Sequence, residues 1–259
     1  MPRSGWVWLG IGAAYFFIPL AATLEFSLKE VSGYGFSAYR EILSDPQFRD
    51  LLWVSFKLSL ATIVVSLLIL IPGVYSVHLS FPRLRPLVEF LSVLPFVVPP
   101  IILIVGLLDF YNVDRVPLWF IESPRFLVPG YVVLSFPFMF RALDVSFRSI
   151  DVHTLTEASR NLGASWRTTL TRVILPNIRV AALSGAFLTL AIVMGEFTIA
   201  SLSAFHTFPT YLQYVNESQA YPAAAATLMS FGITWAAMLS ILLVGRRGGQ
   251  RTVRVGIGR

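Results

Sequence analysis

The chain has 259 residues, 56% hydrophobic and 13% charged, with a mean hydropathy of +0.72. Soluble domains carry about 25% charged residues, so this chain lacks the polar surface to cover itself in water, and its solvent must be lipid. The net charge of +6 comes from basic residues in short tracts between apolar runs, a topology signal rather than a nucleic-acid surface. The absence of cysteine excludes disulfides, thiolate catalysis and cysteine-bound metals.

Six apolar runs approach or exceed the roughly 20 residues needed to cross a bilayer. They lie at 6–24, 52–77, 87–108, 126–147, 180–204 and 223–244. The first is long for a signal peptide and no A-x-A-like cleavage site follows it, so it reads as a retained span. The third contains Pro95-Phe96-Val97-Val98-Pro99-Pro100. Three prolines remove three amide donors and break the helix. Irregular backbone at membrane depth persists only where protein or a water-filled cavity covers it, and transporters place such breaks near binding sites. A static kink is the plainer reading. Asp109 and Tyr111 close this span on its outer side.

Between the fourth and fifth runs lies a polar insert, 148–179. Thr154-Leu155-Thr156-Glu157 fits a capping box, with Thr154 starting a helix and Glu157 reaching back. The helix is expected to run to about Leu162, with Gly163 in the left-handed position that ends it. Ser165 then caps a second helix through Arg172, and Pro176 marks the exit toward span five. Physics alone allows two roles: a basic amphipathic helix on the inner leaflet, or a docking element for a cytoplasmic protein.

Span five carries Met194-Gly195-Glu196-Phe197-Thr198. A carboxylate at membrane depth costs a few kcal/mol unless paired or wetted. Glu196 therefore either lines a pathway, with Phe197 beside it, or is a protonated or hydrogen-bonded carboxyl packing spans together, or lies near enough to the outer surface to be hydrated. Ser184, Gly185, Gly195 and Gly232 suit close helix contacts. Phe205, Phe208, Tyr211, Tyr214 and Tyr221 read as an outer interface belt. His78, His153 and His206 are scattered and read as interfacial, not as metal ligands.

Orientation follows from the basic residues. With both termini inside, fourteen Lys and Arg fall on the inner side and five on the outer, Lys57 snorkelling outward from span two. The Gly- and Arg-rich stretch 248–259 is expected to be a disordered basic tail. No G-x-x-x-x-G-K-[ST] phosphate loop, H-E-x-x-H or hydrolase elbow occurs. ATP hydrolysis, if used, must therefore occur in another polypeptide.

Glu157-Ala158-Ser159, three residues, Gly163, nine residues, Val173, one residue, Leu175-Pro176 resembles the EAA loop of permease subunits of ATP-binding-cassette importers. Ser159 and Val173 replace the family's Ala and Ile. The resemblance implies an all-α integral membrane protein with the type I importer permease fold. Its single six-helix domain would occupy 1–247, with the cytoplasmic coupling loop 148–179 between helices four and five. Glu157, Ala158 and Gly163 would sit at the joint with a nucleotide-binding subunit. The implied partners are two ATPase subunits that bind ATP and Mg, a related but non-identical second permease, an extracytoplasmic substrate-binding protein and the lipid bilayer. The implied place is the cytoplasmic (inner) membrane of a prokaryote, both termini cytoplasmic. The chain itself would hold no cofactor.

The proline-rich third span and the Gly-Glu-Phe segment are similar to the spermidine/putrescine permease group, and Glu196 would suit a cation. Pro95, Pro99, Pro100, Glu196 and Phe197 are thus candidates for the pathway or gate. Thiamine, ferric iron and molybdate or sulfate remain open as cargo. An ion-gradient-driven secondary transporter or channel would instead require a relay of embedded charges, and only Glu196 stands out as one. A membrane enzyme or scaffold would require a clustered polar site at one leaflet.

Overall fold

The computed structural model describes residues 3–30, 33–111 and 115–247; the predicted tail 248–259 lies outside them. Apart from a two-residue hairpin, Lys29–Glu30 paired with Gly33–Tyr34, the regular structure is helical. The helices are α1 (Arg3–Ser27), α2 (Ser37–Ser44), α3 (Pro46–Leu79), α4 (Arg85–Val97), α5 (Pro100–Phe110), α6 (Leu118–Ile121) and α7 (Leu127–Ser149). After these come α8 (Val152–Asn161), α9 (Trp166–Thr168), α10 (Leu175–Gly195), α11 (Thr198–Leu202), α12 (Phe208–Ser218) and α13 (Ala220–Arg247). A π-helical segment, Thr169–Ile174, joins α9 to α10.

Among the described residues, five helical stretches are long and apolar enough to cross a membrane, and the bent pair α4–α5 brings the number to six if it is counted as one span. The predicted runs are therefore all present, with changed ends. Helix α3 starts at Pro46, six residues before its apolar run. Asp45 accepts the Gln47 amide at 2.8 Å there, and a proline in the first turn forfeits no intrahelical bond. The predicted third span is broken by 103°. Val98 and Pro99 are extended, with ψ of 113° and 143°, because a residue before proline is pushed out of the helical region. Pro95, expected to share in the break, sits inside α4.

Span five departs most. It begins at Trp166 rather than 180, running on through the π segment, and it ends at Gly195. Leu175 and Pro176 lie in the first turn of α10 within continuous helix, so Pro176 is not an exit from it. Glu196 and Phe197 fall between α10 and α11, not inside a span.

Two compact units divide the chain. One comprises Met1–Val54 and Thr207–Trp235. In it, Phe48 packs on Phe208 and Tyr211, with ring centroids 5.7 and 6.3 Å apart, and the Tyr211 hydroxyl donates to Asp45 at 2.6 Å. Phe208 and Tyr211 are thus buried core, not a lipid-interface belt, whereas Tyr214 is exposed as expected. The most apolar stretch of α1 buries nothing within the chain.

The other unit, Ser55–His206 and Ala236–Arg259, is centred on α7 packed against α10. Gly185 permits that approach: a Cβ there would meet Met139 Sδ and lie 3.3 Å from Met139 Cα. At Gly130 a Cβ would lie 2.9 Å from Leu107 and 3.2 Å from Ile199, so α7 also meets α5 and α11 closely. Gly195 and Gly232, expected to serve similar contacts, face open space.

Candidate functional site: the α8 end of the bundle

Helix α8 begins three residues earlier than its sequence suggested. Asp151, not Thr154, is the cap: its carboxylate accepts the Thr154 amide at 3.0 Å and the Thr154 hydroxyl at 2.6 Å. Those bonds, the hydroxyl's first, hold the Asp151 carboxyl below its ordinary pKa. The earlier start places Glu157 mid-helix, where it projects outward.

The helix ends as expected. Gly163 has φ +80°, its amide bonds to Arg160 O at 2.8 Å, and the Ala164 amide bonds to Ser159 O at 3.1 Å. This is the double closure that a left-handed glycine allows. Ser165 then caps α9, its side chain accepting the Thr168 amide at 3.3 Å.

The faces of α8 divide cleanly. Val152, Thr156 and Ser159 are buried, and hydroxyl pairs fasten this face. Thr156 meets the Tyr75 hydroxyl of α3 at 3.0 Å. Ser159 meets Thr169 of the π segment at 2.8 Å. Glu157, Ala158, Arg160, Asn161 and Gly163 are exposed, and Leu162 is 89% exposed. Of the predicted coupling residues, Glu157, Ala158 and Gly163 therefore share one outward end, while Ser159 faces inward. Leu175 and Pro176 belong to α10.

The candidate pathway residues do not form one cluster with this end. Both carboxylate oxygens of Glu196 accept the Ile199 amide, at 3.0 and 3.1 Å, at the start of α11. Glu196 is 8% exposed. In this arrangement Glu196 is a packed, hydrogen-bonded carboxyl at the start of α11. Phe197 beside it is partly exposed, as are Pro95, Pro99 and Pro100 near the break of α4–α5.

A charged cluster near α8 escaped the sequence reading. Asp144 in α7 accepts from His78 Nε2 of α3 at 2.8 Å and pairs with Arg148 at 2.7 Å. Arg85 lies 3.0 Å from Glu89 and 3.8 Å from Asp144, and Arg148 also pairs with Glu89. His78 additionally stacks on Phe147, centroids 5.6 Å apart. It is therefore a partnered side chain at the end of α3. An open hollow of about 460 Å³ adjoins the cluster, lined in part by His78, Arg85, Arg148, Asp151 and His153. The available signal was two opposite-charge pairs at i,i+4 near span ends, Arg85 with Glu89 and Asp144 with Arg148.

Apolar helices of spanning length, a broken third span and a polar helix–glycine–helix between the fourth and fifth spans define a multi-pass membrane permease. The chain belongs to the family of binding-protein-dependent transport system inner membrane components, which it matches over residues 67–248. It is 31% identical over 173 residues to the spermidine/putrescine transport system permease protein PotB of Haemophilus influenzae, covering 62% of this chain and 60% of that one. It is also 30% identical over 224 residues to the molybdenum transport system permease protein ModB of Escherichia coli, covering 78% and 93%. Its fold matches the crystal structure of a bacterial ABC transporter that imports the acidic polysaccharide alginate, with a TM-score of 0.69, 18% identity and coverage of 93% and 94%. A second structure, of the alginate transporter in complex with its oligosaccharide-bound periplasmic protein, matches at 0.65 with 17% identity, covering 98% and 95%. The chain is thus an inner-membrane component of a binding-protein-dependent transport system, with a fold like that of the matched ABC transporter chains.

Proposed function

We propose that this chain is one of two permeases in an ATP-driven importer and that α8 is its coupling helix. A binding protein outside delivers solute to a pathway between the permeases. Two separate ATPase subunits, which bind ATP and Mg, engage the exposed end of α8 at Glu157, Ala158 and Gly163. Their closure moves α8 and rocks the spans between inward and outward openings. This requires α8 to couple differently to the two ATPase states. Both termini are cytoplasmic, as the distribution of Lys and Arg favours. The second permease is a related, non-identical chain.

The observation that carries this reading is the outward end of α8. It bears the family's sequence pattern and an almost fully exposed Leu162, which in water leaves apolar surface for a partner to cover. The hydroxyl pairs behind it give any push on α8 a path into α3 and α10.

Polyamine is the cargo favoured by similarity to the spermidine/putrescine permease. Glu196 then serves by anchoring the start of α11, where its carboxylate accepts the Ile199 amide. Molybdate is the second reading, supported by the longer match to the molybdenum permease. The test is co-purification of the chain with its ATPase and second permease, followed by reconstitution with the binding protein. Spermidine, putrescine and molybdate are each supplied. ATP hydrolysis should rise with a polyamine and not with molybdate. The reverse would transfer the cargo assignment, and a chain that recruits no ATPase would overturn the whole reading.

A further inference from the structure

The five charged or titratable side chains near α8 come from three helices: His78 from α3, Arg85 and Glu89 from α4, and Asp144 and Arg148 from α7. Asp144 is the hub. Its side chain is only 7% exposed, and each of its oxygens has its own partner, His78 on one and Arg148 on the other. Glu89 is shared by Arg85 and Arg148. The Glu89–Arg148 and Arg85–Asp144 pairs therefore cross from α4 to α7.

Such a cluster is a poor way to stabilise a bundle. Desolvating Asp144 offsets most of what its pairs return, and apolar replacements of buried ion pairs are often neutral or stabilising. What directional charge pairs do supply is a discrete geometry that is either made or unmade, as switching by repacked interface salt bridges requires. The surroundings suit that use. Helix α7 leads through Ile150 directly into α8, and α3 holds α8 through Tyr75 and Thr156. On the other side, α4 ends at the 103° break. Val98 and Pro99 join α4 to α5 there, so a shift of α4 bears directly on the break.

We propose that these side chains form an ionic latch, through which displacement of α8 is passed from α7 to α4 and so to the broken span. Glu89, Asp144 and Arg148 are its positioning residues. Opening the Glu89–Arg148 and Arg85–Asp144 pairs frees the Arg85 end of α4 from α7, while Phe96 stays packed on Phe138, centroids 5.2 Å apart, and Asp144 keeps its bond to His78. This inference rests on the reading of α8 as the coupling helix.

The test uses the complete importer in liposomes and compares ATP hydrolysis without and with solute-loaded binding protein. A strut that is the same in both conformations would change melting temperature and total activity but not the ratio of the two rates. A latch biases one conformation and changes the ratio. Glu89→Gln and Arg148→Gln are each expected to move it by about threefold or more in the same direction, and the double variant no further, as for residues acting as one pair. Should either variant fail to assemble, Glu89→Asp and Arg148→Lys keep the charges while loosening the geometry, and a smaller shift in the same direction is expected. An unmoved ratio in wild-type-like complexes, or shifts that multiply in the double variant, would overturn the latch alone. A wild-type complex that binding protein never stimulates would instead remove the coupling reading, and the latch with it.

Discussion

Gly163 takes φ +80° at the tip of the turn between α8 and α9, and the space where its Cβ would project is empty. The constraint there is conformational, not steric. An L-residue forced into the left-handed region costs about 1–2 kcal/mol, least for asparagine. Gly163→Ala is therefore expected to loosen the end of α8, read as faster hydrogen exchange at 158–164, while Gly163→Asn stays near wild type. Gly163→Trp combines the strain with a large ring beside Leu162. It should abolish ATPase binding in a pull-down while membrane insertion is unchanged, and normal uptake by that variant would leave α8 as a lipid-surface helix. Ser159 illustrates the opposite case. It departs from the family's alanine, and its hydroxyl is absorbed by Thr169 rather than offered to a partner.

Several helices owe their ends to single residues. Pro99 and Pro100 turn one predicted span into α4 and α5. Glu196 stops α10, and the amides beyond it start α11. Asp151 starts α8 three residues ahead of the apparent capping box, because an aspartate with an unpaired carboxylate competes better for the first free amides than the threonine it also binds. Between elements, the α7–α10 contact is set by Gly185 against Met139. Gly185→Ala places a methyl on that sulfur and near Met139 Cα. It is expected to destabilise the bundle by about 1–3 kcal/mol, the usual range for overpacking, measured as a lower midpoint in thermal unfolding of the detergent-solubilised protein. Gly195→Ala, which meets nothing within 4 Å, is the matched control and should leave the midpoint within about half a kcal/mol of wild type.

For the molecule as a whole, the distribution of Lys and Arg predicts the side of the membrane on which each loop lies. The natural absence of cysteine makes this directly measurable. Single cysteines at Ala158 and at Glu217 should react oppositely with an impermeant maleimide applied to intact cells: Glu217→Cys labelled, Ala158→Cys labelled only after lysis. Adding the ATPase subunit should then protect position 158. Labelling of both sites from outside would invert the topology and with it the position of α8.

Composition and the spacing of apolar runs were enough to determine a helical, multi-pass membrane protein, because the bilayer fixes span length and forbids unpaired backbone. The twenty-residue pattern around Glu157 and Gly163 was enough to point to the family, because a helix–glycine–helix turn is a local structure that its own residues specify. The three-dimensional packing decided the rest. That Glu196 is spent on the Ile199 amide, that Ser159 faces Thr169, and that His78, Glu89 and Asp144 meet in one cluster depend on which face of each helix turns inward. A span that is apolar on every side carries no periodicity to announce that choice. It is made when glycines such as Gly130 and Gly185 let particular helices approach closely.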